Sequence, residues 1–165
     1  MFAVNDTVHY GMDGVCRITG IVSRKIDGRE RRFYELHPCF RKNTVVFLPV
    51  DNETLLARVR PVLSRDEIVK TVHDLEDAQC IWIEQDSARK EAYQMIIRSG
   101  DHRKLACLIK TLYERRQSMT ENGRKMHSAD SNCLKEAERL LHEEFAYVLG
   151  IAPDEVPAFI RHELA

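Results

Sequence analysis

Two hydrophobic periods divide the chain. Over roughly the first sixty residues, apolar and polar positions alternate in short runs. Beyond them, apolar residues recur every three or four positions. Thr7-Val8-His9-Tyr10 alternates and stops at the turn Gly11-Met12-Asp13-Gly14. A second run, Val15 to Val22, places Val15, Arg17 and Thr19 on one face and Cys16 and Ile18 on the other, the two-residue repeat of a strand. Ile26-Asp27-Gly28 predicts a hairpin turn, because Asp-Gly accepts positive φ at the bend. Arg32 to His37 predicts a third strand. Asn43 to Leu48 predicts a fourth, ended by Pro49, and Leu55 to Arg60 a fifth, stopped by Pro61. Five short strands joined by tight turns predict a strongly curved SH3- or Tudor-like barrel, whose small core gives modest stability.

The helical period begins at Ser64-Arg65-Asp66-Glu67, a capping box in which Ser64 and Glu67 satisfy each other's free amides. It opens a helix to about Leu75. A second helix is predicted over Ala78 to Arg98, closed by Ser99-Gly100, since glycine takes the left-handed conformation that ends a helix. Asp101 caps a third, with Leu105, Leu108, Ile109, Leu112 and Tyr113 as its apolar stripe. A fourth is expected from Thr120, with the stripe Met126, Ala129, Cys133, Ala137, Leu140, Leu141, Phe145 and Val148, ending at Gly150. Pro153-Asp154-Glu155 starts a short terminal helix, interrupted by Pro157. The expectation is therefore α+β with two domains: a barrel over 1–63 and an all-helical domain over 64–165.

Composition narrows the chemistry. An apolar share of 44% and a charged share of 31% suit a soluble globular protein. No stretch approaches the roughly 20 apolar residues that span a bilayer, and Met1 to Asp6 lacks the basic and apolar regions of a secretory signal. A cytoplasmic protein is expected. Cys16, Cys39, Cys80, Cys107 and Cys133 are odd in number and form no C-x-x-C pair, so five reduced thiols are expected rather than disulfides or a zinc knuckle. His142-Glu143-Glu144-Phe145-Ala146 lacks the second histidine of a zinc-protease helix, because Ala146 stands in its place. No metal or cofactor is expected.

Charge is unevenly placed. Residues 1–63 carry a net +3 and residues 64–165 a net −4. Within the acidic part, Arg98, Arg103, Lys104, Lys110, Arg115, Arg116, Arg124 and Lys125 stand against Asp101, Glu114 and Glu121. Such a run is either a solvated helix face or a weak phosphate-binding surface.

The ordered combination of these residues resembles the CarD/CdnL family of bacterial transcription regulators. Their N-terminal domain is shared with the RNA-polymerase-interacting module of transcription-repair coupling factors. In the barrel, the resemblance rests on Phe2, Val4, Asp6, Val8, Tyr10, Gly14, Ile18, Ile21, Gly28, Tyr34, Leu36 and Pro49-Val50-Asp51-Asn52. In the helices it rests on Ser99-Gly100-Asp101, Leu105 to Arg116, Lys125-Met126 and Ala137 to Glu144.

The resemblance implies a barrel that binds the polymerase β subunit and helices that contact promoter DNA and stabilise the open complex. It implies no enzyme activity, no cofactor, no membrane and no small-molecule substrate. It puts Arg24 at a polymerase contact and Phe47 where a second one is found. A family tryptophan wedges into the minor groove at the edge of the melted bubble. Counting back from Ser99-Gly100-Asp101, that position falls on Asp86, and Trp82 stands one helical turn earlier. Trp82 is thus a displaced wedge or a packed ring. Arg89 and Lys90 keep positive charge beside it, and Arg98, Arg103, Lys104, Arg124 and Lys125 are the further candidate DNA contacts.

Two other function classes are open. A divergent module of the same ancestry would bind polymerase or another protein without engaging DNA. A Cys–His hydrolase would use Cys39 and His37, two residues apart and so on one strand face.

Overall fold

The computed structural model of the chain describes residues 2–165 and divides after Val62 into two compact units. The first holds one antiparallel sheet of β1 (Thr7–Tyr10), β2 (Gly14–Ile26), β3 (Arg29–Pro38), β4 (Val46–Pro49) and β5 (Val59–Pro61), in the order β4-β3-β2-β1-β5. Asp27 and Gly28, with φ of 51° and 75°, make the β2–β3 turn that the Asp-Gly pair predicts. Ile18 pairs with Leu36 and Gly20 with Glu35, so Thr19 is one residue too many. A bulge of this kind bends and twists its strand. Val8, Cys16, Ile18, Tyr34, Leu36, Leu48 and Val59, drawn from all five strands, fill one core, so the sheet curls as a small barrel.

Several strand boundaries differ from the expected ones: β2 runs on to Ile26 and β3 starts at Arg29, so the hairpin is longer than the alternation predicts. The fourth strand starts at Val46, because Asn43 turns through a left-handed φ of 61°. The segment expected as a fifth strand opens as a helical turn, α1 (Glu53–Leu56). The Asn52 side chain accepts from the Leu55 amide at 3.1 Å and closes that turn before β5 begins.

The second unit consists of α2 (Arg65–Asp74), α3 (Asp86–Ser99), α4 (His102–Glu121), α5 (Ser128–Leu149) and α6 (Val156–Leu164). Its core gathers Ile68, Val72, Ile97, Leu105, Leu112, Leu134, Leu140, Phe145 and Val156 among others. Each fully buried side chain of this size is worth about 1.5–3 kcal/mol. The Ser64–Glu67 capping box forms, with bonds of 2.7 and 3.1 Å. Asp101 caps α4 by accepting from the Arg103 and Lys104 amides. Gly100 and Gly150 end α3 and α5 in the left-handed region.

The helix expected from Ala78 starts eight residues later. Residues 78–85 have no regular structure, because side chains satisfy the carbonyls that a helix would use. Lys110 Nζ donates to the carbonyls of Leu75 and Ala78, and Arg89 to those of Ile83 and Glu84. Cys80 is also joined to Cys107 of α4 by a disulfide, which corrects the expectation of five reduced thiols; Cys16, Cys39 and Cys133 stay outside any disulfide.

The fourth long helix begins at Ser128 rather than near Thr120. Thr120 lies in the last turn of α4 and donates its hydroxyl to the Arg116 carbonyl at 2.9 Å. Pro157 does not interrupt α6. It sits in the first turn, where a missing N–H leaves no carbonyl unpaired. Tyr113, expected on the apolar stripe of α4, is 46% exposed.

Candidate functional site

In the sheet, β4 is an outermost strand, paired on one side with β3 from Leu36↔Val46 to Phe33↔Pro49. Alternation along β4 sends Leu48 into the core and Phe47 to the other face. There the ring of Phe47 meets Phe33 edge-on at 6.5 Å. The Arg24 guanidinium carbon lies 4.0 Å from the centre of the Phe47 ring. A cation over an aromatic face at an exposed site gains about 0.5–1 kcal/mol. Arg24 itself pairs across the ladder with Arg31, a like-charge juxtaposition that costs stability. Glu35, opposite Phe47, accepts from Thr19 at 2.9 Å and bonds His37 at 2.9 Å. The bond to His37, followed by that to Thr19, holds its carboxyl below the usual range. The strand edge therefore offers free backbone groups beside an aromatic ring, a guanidinium and a carboxylate.

In the helical unit, Arg89 is 4% exposed. Its Nε and Nη2 bond Asp130 at 3.0 and 3.1 Å, and Nη2 bonds Asp86 at 2.7 Å. Hydrogen bonding to Asp130 raises its pKa, with Asp86 adding to the effect against the pull of burial. Trp82 is half-buried at the edge of the helical core. The guanidinium carbons of Arg89 and Arg115 lie 4.3 and 4.7 Å from its ring centre. Lys90, Arg98, Arg103, Lys104, Arg124 and Lys125 are exposed, as are Arg115 and Arg116. They do not form one patch. Arg98, Arg103 and Lys104 gather where α3 passes into α4, and Arg115, Arg116, Arg124 and Lys125 lie near its far end. An α-helix of 20 residues separates its ends by about 30 Å.

A family model described as the CarD-like/TRCF RID domain matches residues 2–63. A second, described as the CarD C-terminal domain, matches residues 70–161. The chain belongs to the CarD-like family. This is a transcription-related family that interacts with RNA polymerase. No curated protein matches the sequence.

In this CarD-like chain the structure brings together the two residues assigned to polymerase contact, Arg24 and Phe47. It also brings together Trp82 and Arg89, but as packing partners. The expected DNA contact by Arg89 is therefore corrected: a guanidinium buried on two carboxylates and two carbonyls has no donor left for phosphate. Asp86 is not an idle charge at the expected wedge position, since it holds that same guanidinium.

Phe33 behind Phe47 and Asp130 opposite Arg89 are not singled out by the sequence, and Lys110, counted there in the basic run, is instead spent on the loop carbonyls. Among the described residues no group of three His, Cys, Asp or Glu is placed to hold a metal ion, and no helix is long and apolar enough to cross a membrane.

Proposed function

We propose that this CarD-like chain is a transcription regulator that binds the β subunit of RNA polymerase by its β4 edge. In this reading a partner strand adds to β4, with Phe47 as the apolar anchor and Arg24 as the charged one. The single observation that supports it is the Arg24–Phe47 pair on an outermost strand. The helical unit then stabilises promoter open complexes through weak, sequence-independent contact between DNA phosphates and Lys90, Arg98, Arg103, Lys104, Arg124 and Lys125. Few phosphates are neutralised, so this contact fades as salt rises. The regulator works in the cytoplasm and is not an enzyme. Cys39 lies at the surface, yet desolvation by its neighbours pushes its thiol up, away from the reactive thiolate, and His37 Nε2 is engaged by Glu35.

The test is binding of the full chain to an isolated polymerase β lobe at low salt. The proposal expects saturable binding, with at least a tenfold loss for Arg24→Glu. No binding by the wild type would end it.

One observation favours a second reading, a module that binds polymerase without engaging DNA: Trp82 is packed against Arg89 and Arg115 rather than projecting from a helix. Open-complex lifetime separates the two. Shortening by Arg124→Glu/Lys125→Glu, with β binding intact, supports the DNA contact. An unchanged lifetime in that variant and in Arg103→Glu/Lys104→Glu supports the second reading.

A further inference from the structure

We infer that Cys80 and Cys107 form a reversible redox site whose state governs the exposure of Trp82. The disulfide joins the irregular segment between α2 and α3 to the second turn of α4, across 27 residues of sequence. Anchors flank it on both sides. Lys110 holds the Leu75 and Ala78 carbonyls before it, and Arg89 holds the Ile83 and Glu84 carbonyls after it. Between those anchors, and among the described residues, Gln79 to Trp82 make no backbone hydrogen bond. The covalent link and side-chain packing are what keep them in place.

Trp82 is held at a cost. Its indole N–H is buried, and among the described residues no group accepts it. An unsatisfied buried donor favours any arrangement that returns it to water. The bond two residues away opposes that return. Breaking it frees the segment 79–82 to move, and the indole N–H gains water while the ring leaves the guanidiniums of Arg89 and Arg115.

The sulfurs are reachable. Cys80 and Cys107 are half-buried and line an open groove of about 510 Å³, whose wall includes the exposed Ile81 and Met95. Lys104 lines the same groove, and a nearby ammonium favours the departing thiolate. An external dithiol supplies the electrons. Its thiolate attacks one Sγ, the S–S bond breaks, and the other cysteine leaves as a thiolate and takes a proton. The second thiol of the reductant then attacks the mixed disulfide. The reductant ends as a disulfide and Cys80 and Cys107 as two thiols, a transfer of two electrons and two protons. Exchange with an external disulfide reverses the step.

The full chain tests this directly. Denaturation in iodoacetamide counts free thiols by mass, and acrylamide quenching reads Trp82, the single tryptophan. Protein kept without reductant should carry three alkyl groups, and five after dithiothreitol. Its quenching constant should rise at least twofold on reduction and fall back when oxidised glutathione is added. Cys80→Ser/Cys107→Ser should show the reduced value with or without dithiothreitol, while Cys39→Ser/Cys133→Ser should respond as the wild type does. Five alkyl groups without reductant, or one quenching constant in both redox states, would overturn the proposal. The wild-type comparison decides alone if the double serine variant loses its helical circular dichroism.

Discussion

Arg89 and Asp130 lie 41 residues apart in sequence and meet inside the helical unit through two hydrogen bonds of 3.0 and 3.1 Å. They are 4% and 6% exposed. Removing one partner of such a pair strands a buried charge. Arg89→Ala should therefore lower unfolding free energy by about 3–5 kcal/mol, read as a shift in the urea midpoint. Replacing both, as Arg89→Met/Asp130→Leu, should cost far less than either single change. Arg89→Lys should not rescue, because a lysine cannot reach Asp130 bidentately, Asp86 and two carbonyls together.

Phe47 and Arg24 give a prediction about binding rather than folding. Leu48 and Val46, not Phe47, are the β4 side chains that pack in the barrel core, so Phe47→Ala should leave the sheet's circular dichroism unchanged. Its affinity for the β lobe should fall about tenfold, a loss of about 1.4 kcal/mol by calorimetry. Arg24→Lys should fall between wild type and Arg24→Glu, since an ammonium keeps the charge but not the planar face.

Glu144 is 1% exposed and accepts from the Leu63 amide at 3.0 Å. Glu144→Ala strands that amide and should cost about 1–3 kcal/mol. Glu144→Gln keeps an acceptor oxygen and should cost less. Thermal unfolding of the two variants separates a lost hydrogen bond from a lost charge.

His142 carries a pH dependence. Burial lowers its pKa below the ordinary 6.5. Below 6.5 the unfolded chain then binds a proton that the folded chain resists, so stability falls as pH drops from 6.5 towards the folded value. Above 6.5 both forms are neutral and the contribution is flat. His142→Gln should remove this slope, checked by urea midpoints between pH 7.5 and 5.

The elements themselves were readable from local chemistry. The Asp27-Gly28 turn, the Ser64–Glu67 box, the Asp101 cap and the Gly100 and Gly150 stops each depend on a few adjacent residues, and the structure forms all of them. The misreadings share another origin. Residues 78–85 carry a helix-compatible pattern, yet Lys110, Arg89 and Cys107 capture the segment from elsewhere in the chain. The boundary near Thr120 moved because a threonine that can cap a helix can equally bond the carbonyl four residues back.

What the sequence determined by itself was the division into a β part and a helical part, and the family, because period, turn chemistry and residue order are local or ordered properties of a chain. That Arg24 stacks on Phe47, that Arg89 is spent on Asp130 and Asp86, and that Cys80 finds Cys107 were decided only by tertiary structure. The bulge at Thr19 helps set which β2 residues face β4, and the packing of α3, α4 and α5 sets which side chains share one interior. Neither distance is encoded in the spacing of the residues that meet.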